Sequence, residues 1–302
     1  MDFQNILNSS FSVRTSILIG KYLPPGLGYR FSNRIASFLA NKENLELSRN
    51  IRANQYVING EKNTHHELVQ ISKDVLFHAG KAYYDFYHYI DKPEKLNLIT
   101  PLSDSMKDFI NLSNSNQGYL VVAPHMSNFD LVLSVVVNNG FVGKVLSYPN
   151  PGSGYQLQNE IRFSYGLELT PADKPNVNEE IIDYLKKGGI VATGVDRPLP
   201  GRKKRHYVNF FGRPSPLPLG YITTALAADV PIIVASAIMQ ADGKYDFLFS
   251  GPFTLKKYKN KLDDIKQNAE MILKHVEDFI RMAPKQWLMY YPVWPDLTLE
   301  DL

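Results

Sequence analysis

The chain has no cysteine. That absence excludes disulfides, cysteine-ligated zinc, iron–sulfur clusters and a thiol nucleophile, so any chemistry must run on oxygen, nitrogen and carboxylate groups. An excess of one charge is also missing. The 33 Lys and Arg stand against 30 Asp and Glu, leaving +3, and with no stripe of interleaved basic and aromatic residues this argues for no nucleic-acid partner. Long hydrophobic runs are absent as well. A helix crossing a bilayer takes ~18–20 uninterrupted apolar residues, whereas the longest candidate, 225–239, is shorter and is broken by Asp229 and Pro231. Residues 1–20 carry Asp2, Asn5, Asn8 and Arg14 among the apolar ones and lack the core of a signal peptide, so no export is expected. With 44% apolar and 21% charged residues over 302 positions, no internal repeat and no low-complexity tract, the chain can bury a sizeable core in one large domain or two small ones.

Residues 1–115 read as a helical amino-terminal layer, with breakers at Pro24, Pro25, Gly26, Gly28, Gly60, Pro93 and Pro101. Its clearest segment is 64–90, where Leu68, Ile71, Val75, Leu76, Ala79, Ala82, Tyr83, Phe86 and Ile90 recur at three- and four-residue steps, the spacing of one buried helix face. From Gly118 onward the pattern changes. Apolar runs at 119–123, 144–147, 167–169, 190–195 and 232–238 alternate with helical stretches at 128–139, 154–165, 177–187 and 217–228, with a last helix at 263–283. A turn at Ala241-Asp242-Gly243 predicts that 232–238 and 245–249 form an antiparallel hairpin at one edge. The expected fold is α/β: a mixed, mostly parallel sheet flanked by helices over 116–302, with the helical layer before it, in one compact domain. The Pro- and Gly-rich stretch 198–220 reads as a long functional loop.

The sharpest local feature is Tyr119-Leu-Val-Val-Ala-Pro-His125-Met-Ser-Asn-Phe-Asp130. A strand ending at Pro124 projects His125 into the crevice at the sheet's carboxyl edge, where open α/β sheets bind ligands. A helix capped near Ser127 or Asn128 places Asp130 in its first turn, from which the carboxylate can fold back onto the ring. Asp130 holding Nδ1–H would leave Nε2 as a proton acceptor, which is a general-base arrangement. The spacing by itself is common; the strand, proline and helix start give it meaning.

These residues resemble the HX4D motif of the glycerolipid and lysophospholipid acyltransferase superfamily. The blocks that follow narrow the likeness: Tyr148-Pro-Asn-Pro, Asn159-Glu-Ile-Arg162 with Gly166, Gly194-Val-Asp196-Arg197, Val208-Asn-Phe-Phe211-Gly212 and Gly220-Tyr-Ile-Thr-Thr-Ala-Leu-Ala. In that order they resemble the bacterial lipid A late acyltransferases and the related phosphatidylinositol mannoside acyltransferases, over about 54–287. Two features of the lipid A enzymes are missing, an amino-terminal membrane helix and a basic ending; here the ending is Pro284-Lys-Gln-Trp287-Leu-Met-Tyr-Tyr-Pro-Val-Trp294. A Phe-Pro-Glu-Gly-type block of the phospholipid enzymes is also missing, so the likeness favours a glycolipid acceptor.

The resemblance implies an O-acyltransferase that moves a fatty acyl chain from acyl-CoA or acyl-carrier protein, as co-substrate, to a hydroxyl of a membrane lipid. A lysophospholipid acyltransferase and a catalytically silent lipid-binding relative are the alternatives. With no cysteine and no Gly-x-Ser-x-Gly elbow, direct attack is simpler than an acyl-enzyme. His125 is the expected base and Asp130 its orienting acid. Asn128, Arg162, Asp196, Arg197, Phe211 and Gly212 are expected substrate contacts, with the arginines holding phosphate or polarising the carbonyl. The alternative for Arg162 is a surface pair with Glu160 or another carboxylate, and for Arg197 a pair with Asp196. Arg202, Lys203, Lys204 and Arg205 form the densest basic run. They suit the donor's phosphates or an acidic membrane, or else form a solvated loop.

Phe3, Ile6, Leu7, Phe11, Val13, Ile17, Leu18 and Ile19, interrupted by Arg14 and Lys21 and followed by Arg30 and Arg34, suit a helix lying in a membrane interface. The alternative is a helix docked on the core. The expected place is the cytoplasmic side of the inner membrane, held peripherally. No metal is expected, because His66-Glu67-Leu-Val-Gln70 lacks the second histidine of a zinc-binding helix, and no cofactor is expected either, since Gly188, Gly189, Gly194 and Gly201 have neither dinucleotide nor P-loop spacing. Trp287, Tyr290, Tyr291 and Trp294 read as a packed carboxyl-terminal cap.

Overall fold

A computed structural model describes residues 9–42, 44–147, 152–199 and 203–297. Six helices precede the first strand among these: α1 (Ser10–Tyr22), α2 (Pro25–Ala40), α3 (Glu46–Ile58), α4 (His65–Tyr89), α5 (Pro93–Ile99) and α6 (Asp104–Ser113). The long α4 begins where a capping box places it. Thr64 Oγ1 accepts from Glu67 N while the Glu67 carboxylate accepts from Thr64 N at 2.7 Å, so two otherwise orphaned donors are satisfied at once. The carboxylate next to His66 therefore belongs to a helix cap. Helix α2 lies on α4 through small residues: Gly28 faces the Tyr84 ring, and a Cβ on Gly80 would meet Ser32 at 3.0 Å.

The sheet runs β3 (Glu168–Pro171), β2 (Lys144–Ser147), β4 (Ile190–Gly194), β1 (Tyr119–Ala123), β7 (Ile232–Met239), β8 (Tyr245–Phe253). All neighbours are parallel except β7 and β8. Helices α7 (Phe129–Asn138), α8 (Ser153–Ser164), α9 (Val177–Lys186) and α10 (Gly220–Ala228) connect the strands, and α11 (Lys261–Met282) follows β8. Alternation along β1 explains the two layers. Leu120 and Val122 pack with α9, α10 and α11 on one face, while Tyr119 and Val121 pack with α4, α6 and α7 on the other. Both faces of the parallel strands are thus covered, as their apolar sequences require.

The strand expected at 167–169 begins one residue later and runs to Pro171, and the edge strand reaches Phe253 rather than residue 249. The stretch 198–220 differs more. It contains a hairpin of β5 (Val208–Phe210) and β6 (Arg213–Ser215), paired Val208 to Ser215.

From β1 the chain passes to β2 on one side, and from β4 it passes to β7 on the other. Since β1 and β4 are adjacent, the crevice at their carboxyl ends is a topological switch point. Their register pairs Ala123 with Gly194. Two residues beyond each end stand His125 and Asp196.

Candidate active site

Pro124 has no N–H to extend the ladder and turns the chain out of β1. The imidazole that follows keeps 37% of its side-chain surface open, whereas Asp196 is wholly buried. His125 Nδ1 lies 2.5 Å from Asp196 Oδ1, and the His125 backbone N–H donates to Asp196 Oδ2 at 2.8 Å. The same Oδ2 accepts from the indole Nε1–H of Trp287 at 2.7 Å. Burial works against the ionised carboxylate, yet the His125 charge and these three donors hold Asp196 below the ordinary carboxylate range. An ionised carboxylate only accepts, so Nδ1 carries the proton and Nε2 is left as the basic nitrogen. Burial also disfavours the imidazolium, as do the Arg197 and Arg162 charges, but the charge and hydrogen bond of Asp196 outweigh them and raise the His125 pKa.

The carboxylate on the ring is therefore Asp196, where the sequence reading placed Asp130. Register is the reason: Asp196 leaves the neighbouring strand level with His125, whereas Asp130 sits in the first turn of α7. Asp130 grips Arg162 in a fork, from Nε to Oδ1 at 2.7 Å and from Nη2 to Oδ2 at 2.9 Å. Arg162 also donates from Nη1 to Asn159 Oδ1 at 2.8 Å, and both partners of the fork are buried. Burial works against the guanidinium charge, but Asp130 outweighs it and holds the Arg162 pKa far above its ordinary value. Phe129 lies between the two centres. Its ring stands edge-on to His125 with centroids 6.4 Å apart and lies 5.7 Å from the Arg162 guanidinium.

Other expected contacts have structural partners. Asn128 caps α7 by accepting from Leu131 N, and its amide donates to Ala82 O at 2.8 Å; its side chain ties α7 to α4 instead of facing the crevice. Phe211 and Gly212, with φ of 51° and 80°, are the two central residues of the β5–β6 turn, a hairpin geometry that needs positive φ at both positions. Phe211 N donates to Glu277 Oε1 at 2.6 Å, and Arg281 lies over its ring at 4.7 Å, so this turn sits on α11. Arg197 extends from the end of β4 and stacks 3.9 Å over Tyr291. Lys203 and Lys204 are exposed, with Lys204 Nζ 2.9 Å from Asp296 Oδ2. Arg202, the Arg205 side chain, the Tyr148-Pro-Asn-Pro block and Phe3, Ile6 and Leu7 lie outside the described residues. Among the described residues no group of three or more His, Asp or Glu side chains is placed to hold a metal ion.

Two residues that the sequence did not mark as site residues belong to this centre. Trp287 reaches Asp196 from the carboxyl-terminal segment. Gly194 is the other: a Cβ built there would lie 2.8 Å from His125 Cε1. Replacing Gly194 by alanine is expected to push the imidazole off Asp196 and lower turnover about 10²-fold, the scale of a 1 Å misplacement. Circular dichroism and the thermal midpoint should stay near parental; an alanine variant of parental turnover would show the ring has room to move.

The model of the bacterial lipid A biosynthesis acyltransferase family matches residues 16–295. The chain belongs to this family. Among curated proteins none matches it. The family supplies the activity, acyl transfer in lipid A-type biosynthesis, and hence a lipid acceptor and an acyl donor. His125, Asp196 and Trp287 all lie within the matched residues of this acyltransferase.

Proposed function

We propose that this acyltransferase moves a fatty acyl chain from an acyl thioester, acyl-CoA or acyl-carrier protein, to a hydroxyl of a membrane glycolipid or lipid A-like acceptor. The observation that carries the proposal is the His125–Asp196 contact, which leaves Nε2 as the basic nitrogen of a ring that is partly open to solvent. Nε2 takes the hydroxyl proton as the oxygen attacks the thioester carbonyl. The C–O bond forms, the C–S bond then breaks, and the imidazolium returns its proton to the leaving thiolate. Asp196 fixes the tautomer and stabilises the imidazolium. The Asp130–Arg162 fork fixes the first turn of α7 behind Phe129, and Arg197 with Lys203 and Lys204 offers cationic groups to phosphate on the donor or acceptor. Extracting lipids from cells that lack the protein tests the assignment: one glycolipid should lose one acyl chain. An unchanged glycolipid pool with altered phospholipid chains would transfer the activity to lysophospholipids.

The same reading has the enzyme working at the inner face of the cytoplasmic membrane, held peripherally. None of the described helices is long and apolar enough to cross a membrane. Helix α1 is docked on one side, with Val13 buried and Gly20 against Tyr87, and exposes Phe11, Leu18 and Tyr22 on the other. Helix α2 continues that surface with Leu27, Phe31, Ile35 and Phe38, all exposed and on one helical face. Residues 3–42 contain Arg14, Lys21, Arg30, Arg34 and Lys42 and no acidic residue, which suits an anionic leaflet. Replacing Phe31 and Phe38 together by serine is expected to weaken sedimentation with phosphatidylglycerol vesicles by at least ~10-fold, given ~1.5–3 kcal/mol per buried large apolar side chain. Added salt should weaken the parental protein's binding as well. Vesicle binding indifferent to both changes would remove these helices from the interface.

A further inference from the structure

The segment after α11 lies across the exits of three strands. Gln286 clamps the end of β7, its amide donating to Met239 O at 2.8 Å and accepting from Met239 N at 2.7 Å. Beside it, Leu288 N donates to His125 O at 2.8 Å and Ser127 N donates to Gln286 O at 3.1 Å, so Trp287 bridges Met126 as one antiparallel pair at the exit of β1. The Trp287 indole, wholly buried, reaches Asp196 beyond β4. Packing alone would not aim the single polar atom of an indole at the one carboxylate that holds the imidazole. Phe210 and Trp294 already surround the ring with apolar contact.

We infer that Trp287 is a positioning residue of acyl transfer, acting on His125 through Asp196 by holding the carboxylate oxygen that the imidazole does not take. This inference rests on His125 being the base. Oδ2 has two donors, the His125 backbone N–H and the indole N–H. With the indole donor gone the carboxylate can rotate about its Cβ–Cγ bond, and the Oδ1 contact that fixes the ring loosens. Charge shifts too. The indole N–H disperses the carboxylate charge and fixes its orientation, so removing it changes how strongly Asp196 holds the imidazolium proton, and the acidic limb of the rate profile moves with it. The other charges acting on His125, Arg197 beyond β4 and Arg162 on α8, are unchanged by this substitution.

The test is a double-substitution cycle on the full chain, Trp287→Phe and Asp196→Asn singly and together, read as kcat/KM for transfer from palmitoyl-CoA or palmitoyl-acyl-carrier protein to extracted membrane lipid. A hydrogen bond to a charged group is worth ~1.5–3 kcal/mol, so Trp287→Phe alone is expected to cost about 10- to 100-fold. In the Asp196→Asn background it should cost much less, because the carboxylate charge it acts on is gone. Equal losses in both backgrounds would make Trp287 a packing residue and overturn the inference. If phenylalanine unfolds the chain, benzothienylalanine at the same position keeps the ring's shape, removes only the N–H, and must give the same non-additive loss. The NMR titration of the His125 ring needs no substrate and separates the two readings. A ring pKa that moves with Trp287, in a protein whose His125→Ala variant is fully active, would sustain the coupling and refute the base. A ring pKa unmoved by Trp287 would refute the coupling.

Discussion

Replacing His125 by alanine is expected to abolish acyl transfer, with a fall of at least the ~10²–10⁴-fold that a positioned base contributes. The protein should remain folded with a cooperative thermal transition. The reason lies in what the imidazole touches. Its ring is partly open at the rim of the crevice, and when it is gone the buried Asp196 still accepts from the backbone N–H of residue 125 and from Trp287. No buried charge is stranded without donors, which is the condition that makes such substitutions unfold proteins. Purified variant assayed with radiolabelled thioester decides the matter. Turnover near parental would rule out His125 as the base, and a collapsed thermal midpoint would show that the ring holds the fold.

How far the sequence revealed this centre depends on the kind of contact. Strands β1 and β2 were legible to the residue, because apolar runs bounded by Gly118, Pro124 and Gly143 have sharp ends. The helix 64–90 was legible from its apolar residues at three- and four-residue steps. The β5–β6 hairpin was not. Its strands are three residues each, one contains Pro214, and its turn is Phe211-Gly212, a non-glycine at positive φ instead of the usual Asn-Gly or Asp-Gly. Strand β8 extends past the expected residue 249 through Gly251 and Pro252; an edge strand tolerates a proline that a central one does not.

The partner of His125 was hidden for a different reason. A spacing of five residues is visible in one dimension, whereas the level at which two parallel strands end is set by their register. Once β1 is paired Ala123 to Gly194, the second residue past each strand must meet, and that step brings Asp196 to His125. Arg162 shows the converse. The alternatives left open for it were a surface pair and a site residue, and it is instead buried in a fork with Asp130, 32 positions away in the chain. The motif's histidine and aspartate are thus neighbours in sequence that take different partners in space.

That division predicts different outcomes for two isosteric changes. Asp196→Asn is expected to lower turnover ~10²–10⁴-fold, the upper figure being what the equivalent change costs in the serine protease triad. It should also move the acidic limb of kcat/KM to lower pH. The sign follows from the balance on His125: burial, Arg197 and Arg162 all lower its pKa, and Asp196 alone among the largest influences raises it, so its loss leaves only the lowering influences. Asp130→Asn should leave that limb where it is and act on stability instead. It leaves the buried Arg162 guanidinium without its counter-charge and turns one of the two acceptors of the fork into an NH2 donor facing it, and breaking a buried pair in this way costs ~3–5 kcal/mol. Urea unfolding and pH–rate profiles of both variants separate the two roles. If Asp130→Asn shifted the limb as Asp196→Asn should, and left the unfolding midpoint unchanged, then Asp130 would be the imidazole's partner in the working enzyme and the contact with Asp196 a secondary one.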